Sequence, residues 1–126
     1  MKRLVLSSAL LVCLLAGTAL NARVLERLAD SLSEQLGQAQ VLAEQDRWAQ
    51  ALFQTRSALE HWEDHSLYLY VVTRHGDADQ IRQGLETAVR LLEHRSMAEY
   101  AHVNSGLMVR LALLAEAEQP TLTNIL

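Results

Sequence analysis

His61 and His65 stand four apart in His61-Trp62-Glu63-Asp64-His65. That spacing puts two imidazoles on one face of a helix, where they can chelate a transition metal. A zinc-peptidase helix carries glutamate directly after the first histidine. Trp62 holds that position here, and Glu63 points to another face. A third ligand would have to come from His75, His94 or a distant carboxylate. Without one, the pair reads as solvated helix histidines. A second group, His75-Gly76-Asp77-Ala78-Asp79, gathers one imidazole and two acids in a turn that could bind a cation. The plainer account is that Gly76 ends a helix and Asp77 and Asp79 begin the next, where negative charge is favoured. We therefore assign no metal and expect no cofactor, with His61, His65, His75, Asp77 and Asp79 as the candidate ligands. The sequence shows no nucleophile–base pair, phosphate loop or cysteine cluster, and we expect no enzyme.

These groups ride on a chain whose N-terminus is apolar. Residues 4–20 carry no charge, and Lys2 and Arg3 stand directly before them. A membrane-spanning helix needs about 20 apolar residues, and a secretory signal core about 7–15. Two readings follow. A cleaved signal would use Gly17-Thr18-Ala19. An anchor is favoured by the helix formers that continue through Asn21-Ala22-Arg23-Val24-Leu25. We expect residues 1–20 to be a transmembrane anchor in the lipid bilayer. Lys2 and Arg3 hold the N-terminus in the cytoplasm, and the remainder lies outside it. Cys13 is the only cysteine, so the chain can form no internal disulfide. It follows Val12 rather than a small residue, which argues against a lipoprotein site.

Beyond residue 20, nine arginines face fifteen acids, a formal net charge of −6. No basic patch survives, so nucleic acid is not an expected partner. One proline and five glycines, with few β-branched runs, argue for helices over sheet.

The first helix should run to about Glu44. Leu25, Leu28, Leu32, Leu36, Ala39 and Leu42 form a narrow apolar seam, and Ser31, Ser33, Glu34, Gln35, Gln38 and Gln40 a wet face. The seam suits packing within its own domain; a homodimer through this helix is the alternative. Asp46 is placed to cap the second helix, whose stripe is Trp48, Leu52, Thr55, Leu59 and Trp62. The two tryptophans are expected in the core. Residues 67–72 alternate like a strand, but a lone strand would leave its backbone unpaired, so helix is favoured. Gly76 should stop that helix. Ile81, Leu85, Ala88 and Leu92 mark the next, from about Asp77 to His94. Ser96-Met97-Ala98-Glu99 is a capping box opening the last, which buries Tyr100, Val103, Leu107, Leu111 and Leu114. Pro120 closes it. No residue-by-residue repeat is visible.

The chain ends on Leu122, Ile125 and Leu126 after that proline, with Asn124 able to fix a bend. Leaving such aliphatics in water forgoes roughly 1.5–3 kcal/mol each. Leu122, Asn124, Ile125 and Leu126 are therefore the candidate partner-binding residues.

Several motifs occur in order: the apolar N-terminus, Asp46-x-Trp48-x-x-Ala51, Trp62, His75-x-Asp77-x-Asp79-x-Ile81 and the final Leu122-Thr123-Asn124-Ile125-Leu126. This ordered set resembles domain of unknown function 4363, a family of short membrane-anchored bacterial helical proteins. The chain departs from that pattern in Gly76 and in being rich in arginine and poor in lysine. The resemblance implies architecture and location and supplies no catalytic residue.

The expected fold is all-α: an anchor helix (1–20), an antiparallel helical bundle outside the cytoplasm (21–119) and an apolar tail (120–126). The expected function is a membrane-tethered, non-enzymatic interaction or structural module with a protein partner. The alternative is a small ligand- or metal-sensing bundle.

Overall fold

The computed structural model describes residues 1–72 and 75–117. Five helices carry them: α1 (Lys2–Glu44), α2 (Trp48–Asp64), α3 (Ser66–Val72), α4 (His75–Glu93) and α5 (Met97–Ala117). The described residues contain no strand. The all-α expectation holds, and 66–72 is helical as the pairing argument required.

α1 is continuous over 43 residues, about 65 Å at 1.5 Å per residue. Its two halves differ. Leu4, Val5, Leu6, Leu10, Leu11, Leu14, Leu15 and Leu20 are exposed, and none of the most apolar stretch is buried. This stretch is long and apolar enough to cross a membrane. From Ala22 onward, α1 joins the bundle, burying Ala22, Leu25, Leu28, Ala29, Leu32, Leu36, Ala39 and Ala43. The expected seam is correct to Ala39; beyond it Ala43 enters the core and Leu42 lies half-buried on the flank.

The four long helices form a square. α1 packs on α2 and α5, and α4 packs on the same two. Short turns make chain neighbours antiparallel. α3 is an extra short helix separated from α2 by His65 and resting on α4 and α2.

The turns after α1 and α4 share one design. Arg47 N–H donates to Leu42 O at 2.9 Å and Asp46 N–H to Ala43 O at 3.0 Å. Ser96 N–H donates to Leu91 O at 3.0 Å and Arg95 N–H to Leu92 O at 3.1 Å. These are paired Schellman bonds, which require a left-handed residue. Asp46 (φ 62°) and Arg95 (φ 55°) supply it. Asp46 is therefore a terminator of α1 and not the cap of α2: the N-cap is Arg47, with no side-chain cap bond. Gly76 is also not a stop. It lies inside the first turn of α4, and no glycine among the described residues has positive φ.

Burial reveals a repeat that residue identity shows only in part. Ala29, Leu32, Leu36, Ala39 and Ala43 are buried in α1, and Ala78, Ile81, Leu85, Ala88 and Leu92 in α4. Ala51, Thr55, Ala58 and Trp62 are buried in α2, and Tyr100, Asn104, Leu107 and Leu111 in α5. Each residue of the second hairpin follows its counterpart by the same 49 positions, as Arg95 follows Asp46. The bundle is thus two equivalent helical hairpins. Side-chain sizes trade places, with Ala51 answered by Tyr100 and Trp62 by Leu111, so large fills beside small in one core.

Candidate functional site

His61 and His65 do share a face of α2 and its end. Their rings stand edge-on with centroids 5.1 Å apart. The Nδ1–H of His65 donates to the His61 carbonyl at 2.9 Å. A carbonyl only accepts, so Nδ1 carries the proton and Nε2 alone is left for a ligand. Among the described residues, no three His, Cys, Asp or Glu side chains come together. Asp77 is exposed in the first turn of α4, where the helix dipole favours it, and Asp79 is half-buried on the same helix. The His75 side chain lies outside the described residues, as do Leu122, Asn124, Ile125 and Leu126.

Trp62 is buried in the core, 2% exposed, whereas Trp48, about four turns earlier on α2, is half-buried at the edge of the core cluster. Trp62 also floors a cleft of about 260 Å³ where α2, α3 and α4 meet, lined by Glu63, Ser66, Leu69, Ala78 and Arg82. Arg82 stands between Glu63 at 3.8 Å and Glu86 at 3.3 Å. Its charge is thereby answered by two carboxylates, and all three groups are substantially exposed, so the network is weak in energy. A second cleft of about 310 Å³ lies toward the opposite end of the bundle, lined by Leu42, Ala49, Gln50, Phe53 and Gln54. Phe53 there is 72% exposed.

Sequence patterning missed a polar cluster at the joint of α1, α2 and α5. Asn104 is fully buried and donates Nδ2–H to Leu36 O and to Gln40 Oε1, each at 3.0 Å. Gln40 in turn reaches Glu44. Thr55, also fully buried, donates to Ala51 O at 2.9 Å. The Tyr100 hydroxyl is buried beside Thr55 but outside hydrogen-bonding geometry with it, and the Asn104 Oδ1 likewise has no partner among the described residues. Burial pushes the Tyr100 phenol up to about 12; the Thr55 hydroxyl pulls it down and the Glu44 carboxylate pushes it further up. None of these groups is paired as a nucleophile with a base. The cluster fixes how α5 seats on α1. Its only signal in the sequence is a polar residue where an apolar stripe should continue.

The described residues thus present two clefts, a buried polar cluster and an apolar projecting helix. A family model described as Domain of unknown function (DUF4363) matches residues 19–125. The match spans the bundle and begins near the end of the apolar stretch. No curated protein matches the chain. No solved structure matches it either.

Proposed function

The chain belongs to the family of domain of unknown function 4363, and from that premise we propose that it is a membrane-tethered interaction module rather than an enzyme. One observation carries this reading. The apolar half of α1 stands entirely clear of the bundle while the other half of the same helix is built into the core. A stretch of leucine, valine and alanine in water is costly, at about 25 cal/mol per Å² of apolar surface. A bilayer removes that cost, and helix continuity makes the bundle its rigid load. Lys2 and Arg3 orient the N-terminus to the cytoplasm and the bundle to the far side.

In this reading the module engages a protein partner. The apolar tail residues Leu122, Asn124, Ile125 and Leu126 are the proposed docking segment, on the sequence argument alone. Crosslinking in the native membrane should capture a partner with the full chain and lose it when residues 122–126 are deleted. Capture that survives the deletion would remove the tail from the account.

Cys13 tests the tether. It is exposed in the protein alone and sits within the apolar stretch. In intact membranes it should resist a membrane-impermeant maleimide and react after detergent unfolding. Rapid labelling in intact membranes would mean that the stretch is not in lipid.

A further inference from the structure

α3 is the feature that the tether alone does not explain. Its seven residues, Ser-Leu-Tyr-Leu-Tyr-Val-Val, carry no charge. Leu69 turns inward and is 1% exposed. Leu67 and Val71, one helical turn apart, face outward at 83% and 84% exposure. That is more exposed than the leucines of the apolar stretch of α1, at 58–73%. An outward face of a small surface helix is ordinarily polar. This one is apolar on both sides.

Its position in the bundle says what meets it. Glu63 pairs with Arg82, Gly84 packs on Leu107, Gln80 accepts from Arg110 and Leu36 O accepts from Asn104. Counting along antiparallel neighbours from these pairs, α3 comes level with the start of α4, the end of α5 and about Leu25–Asp30 of α1. Val71 is at the lower edge of that band, roughly 8 Å beyond Leu20 along α1 at 1.5 Å per residue. The polar layer of a bilayer extends about 5–8 Å beyond the hydrocarbon on each side. A helix tilt of about 20° lowers one edge of the bundle further.

We propose that α3 is a second membrane contact: its Leu67–Val71 face lies against the interfacial layer of the same bilayer that residues 4–20 cross. This rests on the tethered reading. With one point of attachment the continuous helix and its bundle can tilt and turn as a unit; with two they are held in a defined orientation, and the Phe53 end is presented away from the lipid. Four acids, Glu63, Asp64, Asp77 and Asp79, and two arginines, Arg74 and Arg82, lie near α3 in sequence or in the adjoining cleft, so no excess of positive charge draws the contact to anionic lipid. It works by apolar insertion, and a zwitterionic phosphatidylcholine surface suffices.

The test uses the full chain in phosphatidylcholine vesicles, with Cys13→Ala as background and a nitroxide placed by Leu67→Cys, Val71→Cys, Phe53→Cys or Leu10→Cys. Each label is scored by its accessibility to oxygen, which concentrates in lipid, and to a water-soluble nickel complex. The label at Leu10→Cys should report hydrocarbon and that at Phe53→Cys water. Those at Val71→Cys and Leu67→Cys should be several-fold less accessible to nickel than that at Phe53→Cys, with Val71→Cys the deeper. If Leu10→Cys reports lipid while both α3 labels match Phe53→Cys, the α3 contact is wrong and the tether stands. If Leu10→Cys itself reports water, the tether fails and the α3 proposal with it. If the α3 labels are shielded from both reagents and broaden with protein density, the face is an interface between copies, which also overturns the proposal.

Discussion

Asn104 and Thr55, the two fully buried polar side chains among the described residues, occupy equivalent positions of the two hairpins but bond in different directions. Thr55 returns its hydroxyl to its own helix at Ala51, while Asn104 reaches across to the main-chain carbonyl of Leu36. The first bond is local and leaves the packing free. The second ties α5 to α1 at one register, and it does so through a carbonyl that a helix leaves with a spare lone pair.

Asn104→Ala should therefore lower stability by about 1–3 kcal/mol, since Gln40 Oε1 and Leu36 O lose a buried donor. Urea unfolding of the bundle measures it. Asn104→Asp should be worse and pH-dependent. A carboxylate facing two oxygens has its folded pKa raised, so the penalty is small below the unfolded value of about 3.9 and grows as pH rises through the folded one. Stability of Asn104→Asp that does not fall with rising pH would contradict this geometry.

Tyr100 gives an alkaline prediction. Its folded pKa of about 12 lies above the ordinary 10.0. The contribution is intact below pH 10 and is lost as pH rises through about 12. Tyr100→Phe deletes a hydroxyl without a partner, so it should be neutral or stabilising by up to about 1 kcal/mol and should flatten the alkaline decline. Absorbance titration should show one tyrosine ionising only as the protein unfolds.

Two helix glycines should respond with opposite sign. A Cβ on Gly84 would lie 2.4 Å from Leu107 Cδ2 and 3.1 Å from its Cγ, within the α4–α5 contact. Gly84→Ala should cost about 1–3 kcal/mol by overpacking. Gly106 has nothing within 4 Å of such an atom, so Gly106→Ala should gain about 0.5–1 kcal/mol from helix propensity alone. Melting temperatures of the two variants decide it.

Trp62 is core on one side and cleft floor on the other. Trp62→Ala should lose about 3–5 kcal/mol. A variant that melts at the wild-type temperature would show that its burial is not part of the fold.

Much of this architecture was legible in the sequence. The stripe Ile81, Leu85, Ala88 and Leu92 is buried as its spacing requires, and the long first helix runs to Glu44. What escaped has physical reasons. The two terminating turns use Asp46 and Arg95 where glycine is the usual sign, so the sequence pattern marks Asp46 as a cap and leaves Arg95 unmarked. The hairpin repeat is hard to read because only its first helices share residue types, as in Ala29/Ala78, Leu36/Leu85 and Ala39/Ala88, while α2 and α5 match in burial alone. Asn104 shows in the sequence only as a polar residue on a buried stripe; its role depends on a carbonyl of α1, distant in sequence and adjacent in the fold. His61 lies near the end of α2 and His65 directly after it, while residues 75–79, expected as a turn, form the start of α4; helical spacing says nothing of whether a third group approaches. Asp77 lies at the start of α4 as the dipole argument expected, without Gly76 acting as a stop.

The central claim is that the apolar half of α1 stays attached and carries the bundle at a membrane. Intact mass and N-terminal sequencing of the protein extracted from its own membrane test it most directly. The account predicts a chain of about 14.1 kDa beginning at Met1 or Lys2, released only by detergent. A shorter chain beginning near Leu20, found free of the membrane, would contradict it.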